Sequence, residues 1–124
     1  MGKKGFRDLI VWQKAKDLAV LLYQTTSAGP ISKDYSFRDQ IRRTVISIAS
    51  NIAEGDERDT DKESVRFFFI AKGSLAELRT QVEIACNIGY LPEEDYQKIE
   101  QNCEELAKML GQLIKARQNT YKRP

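Results

Sequence analysis

Ten consecutive residues, Thr44 to Ala53, carry no charged side chain in a chain where 31% of residues are Asp, Glu, Lys or Arg. Gln40-Ile41-Arg42-Arg43 precede the stretch and Glu54-Gly55 follow it. Ile41, Val45, Ile48 and Ile52 repeat at steps of four, three and four, one face of an α-helix. The opposite face holds Arg43, Ile46, Ser47, Ser50 and Ala53, where a monomeric helix normally places Lys and Glu. A helix apolar or small on nearly every side is expected to be buried on nearly every side. The stretch therefore predicts contact with a second protein surface as well as with its own core.

The rest of the chain reads as three more helices of the same kind. The first is expected over about 8–27, with Trp12, Ala15, Ala19, Leu22 and Thr26 stepping three and four, and Gly29-Pro30 ends it. The second covers about 33–54. Ser36 with Asp39 resembles a capping box, Ser32 competes as a cap, and Gly55 suits a left-handed stop. The third covers about 60–88, opened by Thr60 with Glu63 three residues on. Phe67, Ala71, Ser74, Leu78, Val82 and Ala85 carry it, and Phe68, Leu75 and Val82 form a second apolar line that is expected, with the second helix, nearest a subunit interface. Gly73 in its middle costs about 1 kcal/mol against alanine, which suggests a neighbour in close approach. The fourth covers about 92–119, from Pro92 as first helical residue through Tyr96, Ile99, Cys103, Leu106, Leu110, Leu113 and Arg117. The turns are short, so neighbours run antiparallel. The expected fold is all-α, one up-down-up-down four-helix bundle over residues 1–124.

Charge and residue types narrow the chemistry. The formal net charge is only +2, but it is unevenly spread. Residues 1–16 hold five bases and one acid, and residues 106–124 five bases and no acid. Glu54 to Glu63 holds six acids and two bases, and Glu93 to Glu105 six acids and one base. The bundle topology brings both basic termini to one end, beside the acidic Glu54–Glu63 turn. With no histidine in the chain, Ser-His and Cys-His nucleophiles, common zinc sets and di-iron Glu-x-x-His pairs are excluded. No catalytic or cofactor constellation is visible, and enzymatic activity is not expected. The Asp59 loop fails as a calcium EF-hand, because Ser64 and Ile70 stand where Gly and Glu are needed. Cys86 and Cys103 lie about 12 Å out of level on antiparallel helices and read as buried thiols. The start lacks the apolar run of a secretion signal, no run spans a membrane, and a cytoplasmic protein is expected.

Two sets of residues are singled out. Arg42, Arg43, Asn51, Glu54, Ser74, Glu77 and Gln81 are expected to make polar contacts between helices or subunits. Phosphate binding is the competing reading for Arg38, Arg42 and Arg43. Lys3, Lys4, Arg7, Lys115, Arg117, Lys122 and Arg123 would form a basic rim able to hold RNA or DNA phosphates if the subunits form a ring. The acidic turn at the same end would partly cancel that rim. Trp12 and Phe67-Phe68-Phe69 could stack bases, but their helical spacing suits core and interface.

Phe6-Arg7-Asp8-Leu9 with Trp12 and Ala15, Gln40-Ile41-Arg42-Arg43, Ser47-Ile48, Asn51-Ile52-Ala53-Glu54-Gly55, Ala71-Lys72-Gly73-Ser74-Leu75, Glu77-Leu78 and Gly89-Tyr90-Leu91 occur in this order. The series resembles the bacterial four-helix bundle proteins encoded by intervening sequences of 23S rRNA genes. That family includes the accessory variability determinant protein of diversity-generating retroelements, a pentamer that binds nucleic acid and a reverse transcriptase. The resemblance implies a ring-like homo-oligomer, five copies in number, with RNA or DNA as a partner. A reverse transcriptase joins the partners if the gene lies in a retroelement. Two departures stand out: Ala49 replaces a common family proline, and the chain is nearly neutral where the retroelement protein is strongly basic.

Overall fold

The computed structural model describes residues 5–121, as four α-helices, two 3-10 turns and no strand among them. The helices are α1 (Ile10–Thr25), α2 (Tyr35–Asp56), α3 (Asp61–Asn87) and α4 (Glu93–Tyr121). α1 packs on α2, α2 on α3, α3 on α4, and α4 closes against α1. This is the four-helix arrangement the apolar spacing predicts. Its core is one cluster to which every helix contributes, including Leu22, Ile48, Phe68, Leu75 and Leu106.

Helix ends show where local signals suffice and where they do not. Thr60 accepts from the Glu63 amide at 3.1 Å, the cap read from the sequence. Neither Ser32 nor Ser36 caps α2. Asp34 does, accepting from the Phe37 amide at 3.1 Å, and its other oxygen accepts from the Tyr90 hydroxyl at 2.8 Å. Ser32 instead lies in the 3-10 turn Pro30–Lys33. α1 is shorter than expected, because residues Phe6–Asp8 form a separate 3-10 turn before it. Its core face is also rotated: Val11 and Leu18 are buried beside Ala15 and Leu22, whereas Trp12 and Ala19 are only half-buried. α4 begins at Glu93, with the Pro92 carbonyl accepting from Tyr96 at 3.0 Å, and Ile114 rather than Leu113 enters the core. At the end of α3, Gly89 takes φ +81° while Tyr90 and Gly89 donate to Ala85 and Cys86, a Schellman stop.

The two glycines expected to matter exchange roles. Gly55 does not stop α2 in a left-handed conformation; it lies inside the helix and is buried. A Cβ there would stand 2.6 Å from Phe68 Cε1 and 3.0 Å from the Ser64 carbonyl oxygen. Gly73, expected to admit a neighbour within the chain, is exposed and has nothing within 4 Å of a Cβ. Helix approach in this fold happens at the α2–α3 turn, where the two helices converge.

Both cysteines are free thiols; Cys103 is buried and Cys86 half-buried. Burial pushes the Cys103 thiol up to about 12, which leaves it protonated and inert.

The Asp34 cap gives a pH prediction. The Tyr90 hydroxyl, and after it the Phe37 amide, hold the Asp34 carboxyl below its ordinary 3.8. A carboxyl lowered by folding stabilises the fold fully above its unfolded value, and that contribution is lost as pH falls through the folded value. Tyr90→Phe should therefore lower the thermal midpoint at neutral pH, and the deficit should shrink as pH drops from about 4 toward 2. A deficit constant across that range would show that the hydroxyl acts only through packing.

Candidate functional site

Six of the seven sequence-predicted polar residues, all but Arg42, lie along one surface, the seam between antiparallel α2 and α3. Ser47 and Ser74 are hydroxyl to hydroxyl at 3.0 Å, which fixes the register of the two helices. Asn51 donates to the Ser47 carbonyl and hydroxyl at 2.8 and 3.1 Å. Asn51 and Ser74 are thus joined through Ser47, a residue the site reading had left out although it stands in the uncharged stretch. This part of the seam is an internal helix–helix contact.

The remaining seam residues, three exposed charges and one buried amide, find no partner among the described residues. Arg43, Glu54 and Glu77 are exposed and form no ion pair with any described residue. Gln81 is 6% exposed, yet its Nε2 and Oε1 have no hydrogen-bond partner among the described residues. A buried amide left in this state costs about 1–3 kcal/mol for each unmet group. Between these groups the surface is apolar. Ile46 on α2 and Phe69, Ile70 and Ile84 on α3 are each 43–47% exposed. Helix α2 is therefore not buried on nearly all sides in the single chain, since Arg43, Ile46 and Ser50 all face outward. The line Phe68, Leu75 and Val82, expected near a subunit interface, is instead inside the bundle at 0–2% exposure. The outer face of α3 is formed by Ile70, Gly73, Glu77, Thr80 and Ile84, one register step round.

Arg42 behaves differently from Arg43. Its guanidinium donates to Thr26 Oγ1 at 2.9 Å, and to the Tyr23 carbonyl and Ser27 Oγ at 3.2 Å. It also lies over the Tyr23 ring at 4.5 Å. Arg42 is an inter-helix contact that closes the C-terminal end of α1, where carbonyls lack helical partners. Arg38 is engaged by Asp39 and by the Ser32 carbonyl.

The proposed basic rim is reduced by the geometry. Lys3, Lys4, Lys122 and Arg123 lie outside the described residues. Arg117 is not a free phosphate ligand: it pairs with Asp56 at 2.9 Å and Asp61 at 3.7 Å and lies 5.4 Å over the Phe68 ring. Arg7 and Lys115 are exposed. The Arg117 contacts do confirm that the end of α4 meets the acidic α2–α3 turn. Aromatic rings do lie against basic side chains at this end: Arg7 is 4.7 Å over Phe6, and Arg58, outside the predicted rim, is 4.3 Å over Phe67. Phe6 and Arg58 also line a cleft of about 310 Å³ with Ala53, Glu54 and Glu57. Trp12 packs edge-on against Phe6 with ring centres 5.0 Å apart. At the other end a cleft of about 450 Å³ is lined by residues that include Pro30, Tyr90, Pro92 and Asp95. Among the described residues no group of three His, Cys, Asp or Glu is placed to hold a metal ion, and no helix is long and apolar enough to cross a membrane.

Comparison with known proteins agrees with this architecture. A solved structure from Bacteroides thetaiotaomicron, described as a protein of unknown function from the S23 ribosomal protein family, superposes with a TM-score of 0.78. It is 24% identical, and the match covers 86% of this chain and 96% of that one, a likeness of fold. No curated protein matches the chain. The model of the 23S rRNA-intervening sequence protein family matches residues 7–112, from the Arg7-Asp8-Leu9 segment to beyond the middle of α4. That span includes the whole α2–α3 seam, and the chain belongs to the 23S rRNA-intervening sequence protein family.

Proposed function

We propose that this protein is a non-enzymatic assembly module, a closed homo-oligomer built through the outer surface of the α2–α3 seam. The observation that carries this reading is the seam itself. Exposed Ile46 and Ile70 lie on the same surface as Arg43, Glu54 and Glu77, which form no ion pair among the described residues. Apolar surface rimmed by polar groups is the character of a protein contact. Charges of both signs along its two helices suit a contact in which one copy's α2 edge meets the next copy's α3 edge, the kind of contact that closes a ring. Five copies is the number implied by the family resemblance.

Light scattering of the purified chain should report a discrete multimer. Ile46→Glu, which places a charge in the apolar centre, should dissociate it or render it insoluble. A monodisperse monomer for the natural chain sinks the proposal.

Weakly sequence-specific nucleic-acid binding is the second reading. It is supported by exposed Arg7 and Lys115, and by the Arg58–Phe67 stack at the same end. Binding to structured RNA that falls steeply with salt would support it, and no binding at low salt would leave assembly alone.

A further inference from the structure

We infer that Arg43 of one copy pairs with Glu77 of the next copy. This inference rests on the assembly reading and names the contact that would set its register. Two observations converge on it.

The first is height. Ser47 and Ser74 meet across the seam. Arg43 lies four residues before Ser47, and Glu77 lies three residues after Ser74 on the antiparallel helix. Both are about one turn from the same crossing point, toward the same end of the bundle. In a cyclic ring whose axis runs along the bundle, all copies stand at one level, so contacts between copies join residues of equal height. Arg43 and Glu77 meet that condition. Arg43 and Glu54, the other opposite charges on the face, are eleven residues apart on α2, about 16 Å by the helical rise. They would meet only in an antiparallel two-fold contact.

The second observation is that neither partner is used at home. Arg38, Arg42, Arg79 and Arg117 each have a carboxylate or a set of oxygen acceptors within the chain. Arg43 has no ion pair with a described residue, nor has Glu77. A guanidinium carries five donors in a planar fork that matches the two oxygens of the Glu77 carboxylate.

The test is a charge exchange in the full chain, read by sedimentation equilibrium over a dilution series. Arg43→Glu and Glu77→Arg should each weaken association by about a hundredfold or more, because each sets like charges together. The double variant Arg43→Glu with Glu77→Arg should recover most of that loss. Both side chains are exposed, so far-ultraviolet circular dichroism should show all three variants folded. If the natural chain associates but the Glu77 exchange fails to rescue, the pairing is wrong and assembly stands. Rescue by Arg43→Glu with Glu54→Arg would replace it with the two-fold contact. A natural chain that is monomeric at all concentrations overturns both the pairing and the assembly reading.

Discussion

Gly55→Ala should destabilise the folded chain by about 2 kcal/mol, while Gly73→Ala should stabilise the protomer by up to about 1 kcal/mol. Both glycines are in helices, and alanine is the better helix former by about 1 kcal/mol at either place. The difference is the space a methyl group would enter. At Gly55 it meets the Phe68 ring at 2.6 and 2.9 Å and the Ser64 carbonyl at 3.0 Å. Phe68 is fully buried, and the Ser64 oxygen belongs to the backbone of α3, so neither yields cheaply. Overpacking of this kind costs about 1–3 kcal/mol, and the high end of that range exceeds the propensity gain. At Gly73 no atom lies within 4 Å, so only the gain remains. Urea unfolding of the two variants reads the signs directly. A Gly55→Ala variant as stable as the natural chain would show that α2 and α3 can separate at their turn without loss.

Arg117→Ala should cost about 3 kcal/mol, a large fraction of the stability of a domain this size. The Asp56 side chain is fully buried, and Arg117 Nη2 donates to its Oδ1 at 2.9 Å. Removing the guanidinium takes a 2.9 Å ion pair away from a carboxylate held in a low-dielectric site. Arg117→Lys keeps the charge but not the fork that reaches Asp56 and Asp61 together, and should recover only part of the loss. Equal stability of the Ala variant and the natural chain would mean that the other contacts of Asp56 suffice.

What the sequence could reveal, and what it could not, follows the range of the interaction responsible. Thr60 and Glu63 are three residues apart, and the cap they signal is present. The cap of α2 was missed because Asp34 is chosen with the help of Tyr90, 56 residues away. Serines on either side satisfy the local pattern equally well. The glycines were misassigned for the same reason: a lone glycine in a helical pattern marks an approach without saying what approaches. Apolar periodicity identified four helices, yet it left their faces uncertain by one register step, as with Val11 for Trp12 and Ile114 for Leu113. That step also placed Phe68 and Leu75 at a surface they do not reach. The polar seam was legible because Ser47, Asn51, Ser74, Glu77 and Gln81 interrupt otherwise apolar faces at helical spacing. Which of them are satisfied inside the chain required coordinates. Arg117 seemed available to a ligand because its acidic partner lies 61 residues earlier.

The Arg117–Asp56 contact also orders events during synthesis. A nascent chain that has released α1, α2 and α3 can already bury most of the α2–α3 pairing, but the Arg117 guanidinium is not yet beside Asp56. It arrives only when the later turns of α4 leave the ribosome. Until then the buried Asp56 carboxylate lacks this ion pair, which weakens the turn. The molecule is thus fastened late, by a contact that spans 61 residues, and a protein cut short before Arg117 is released without it.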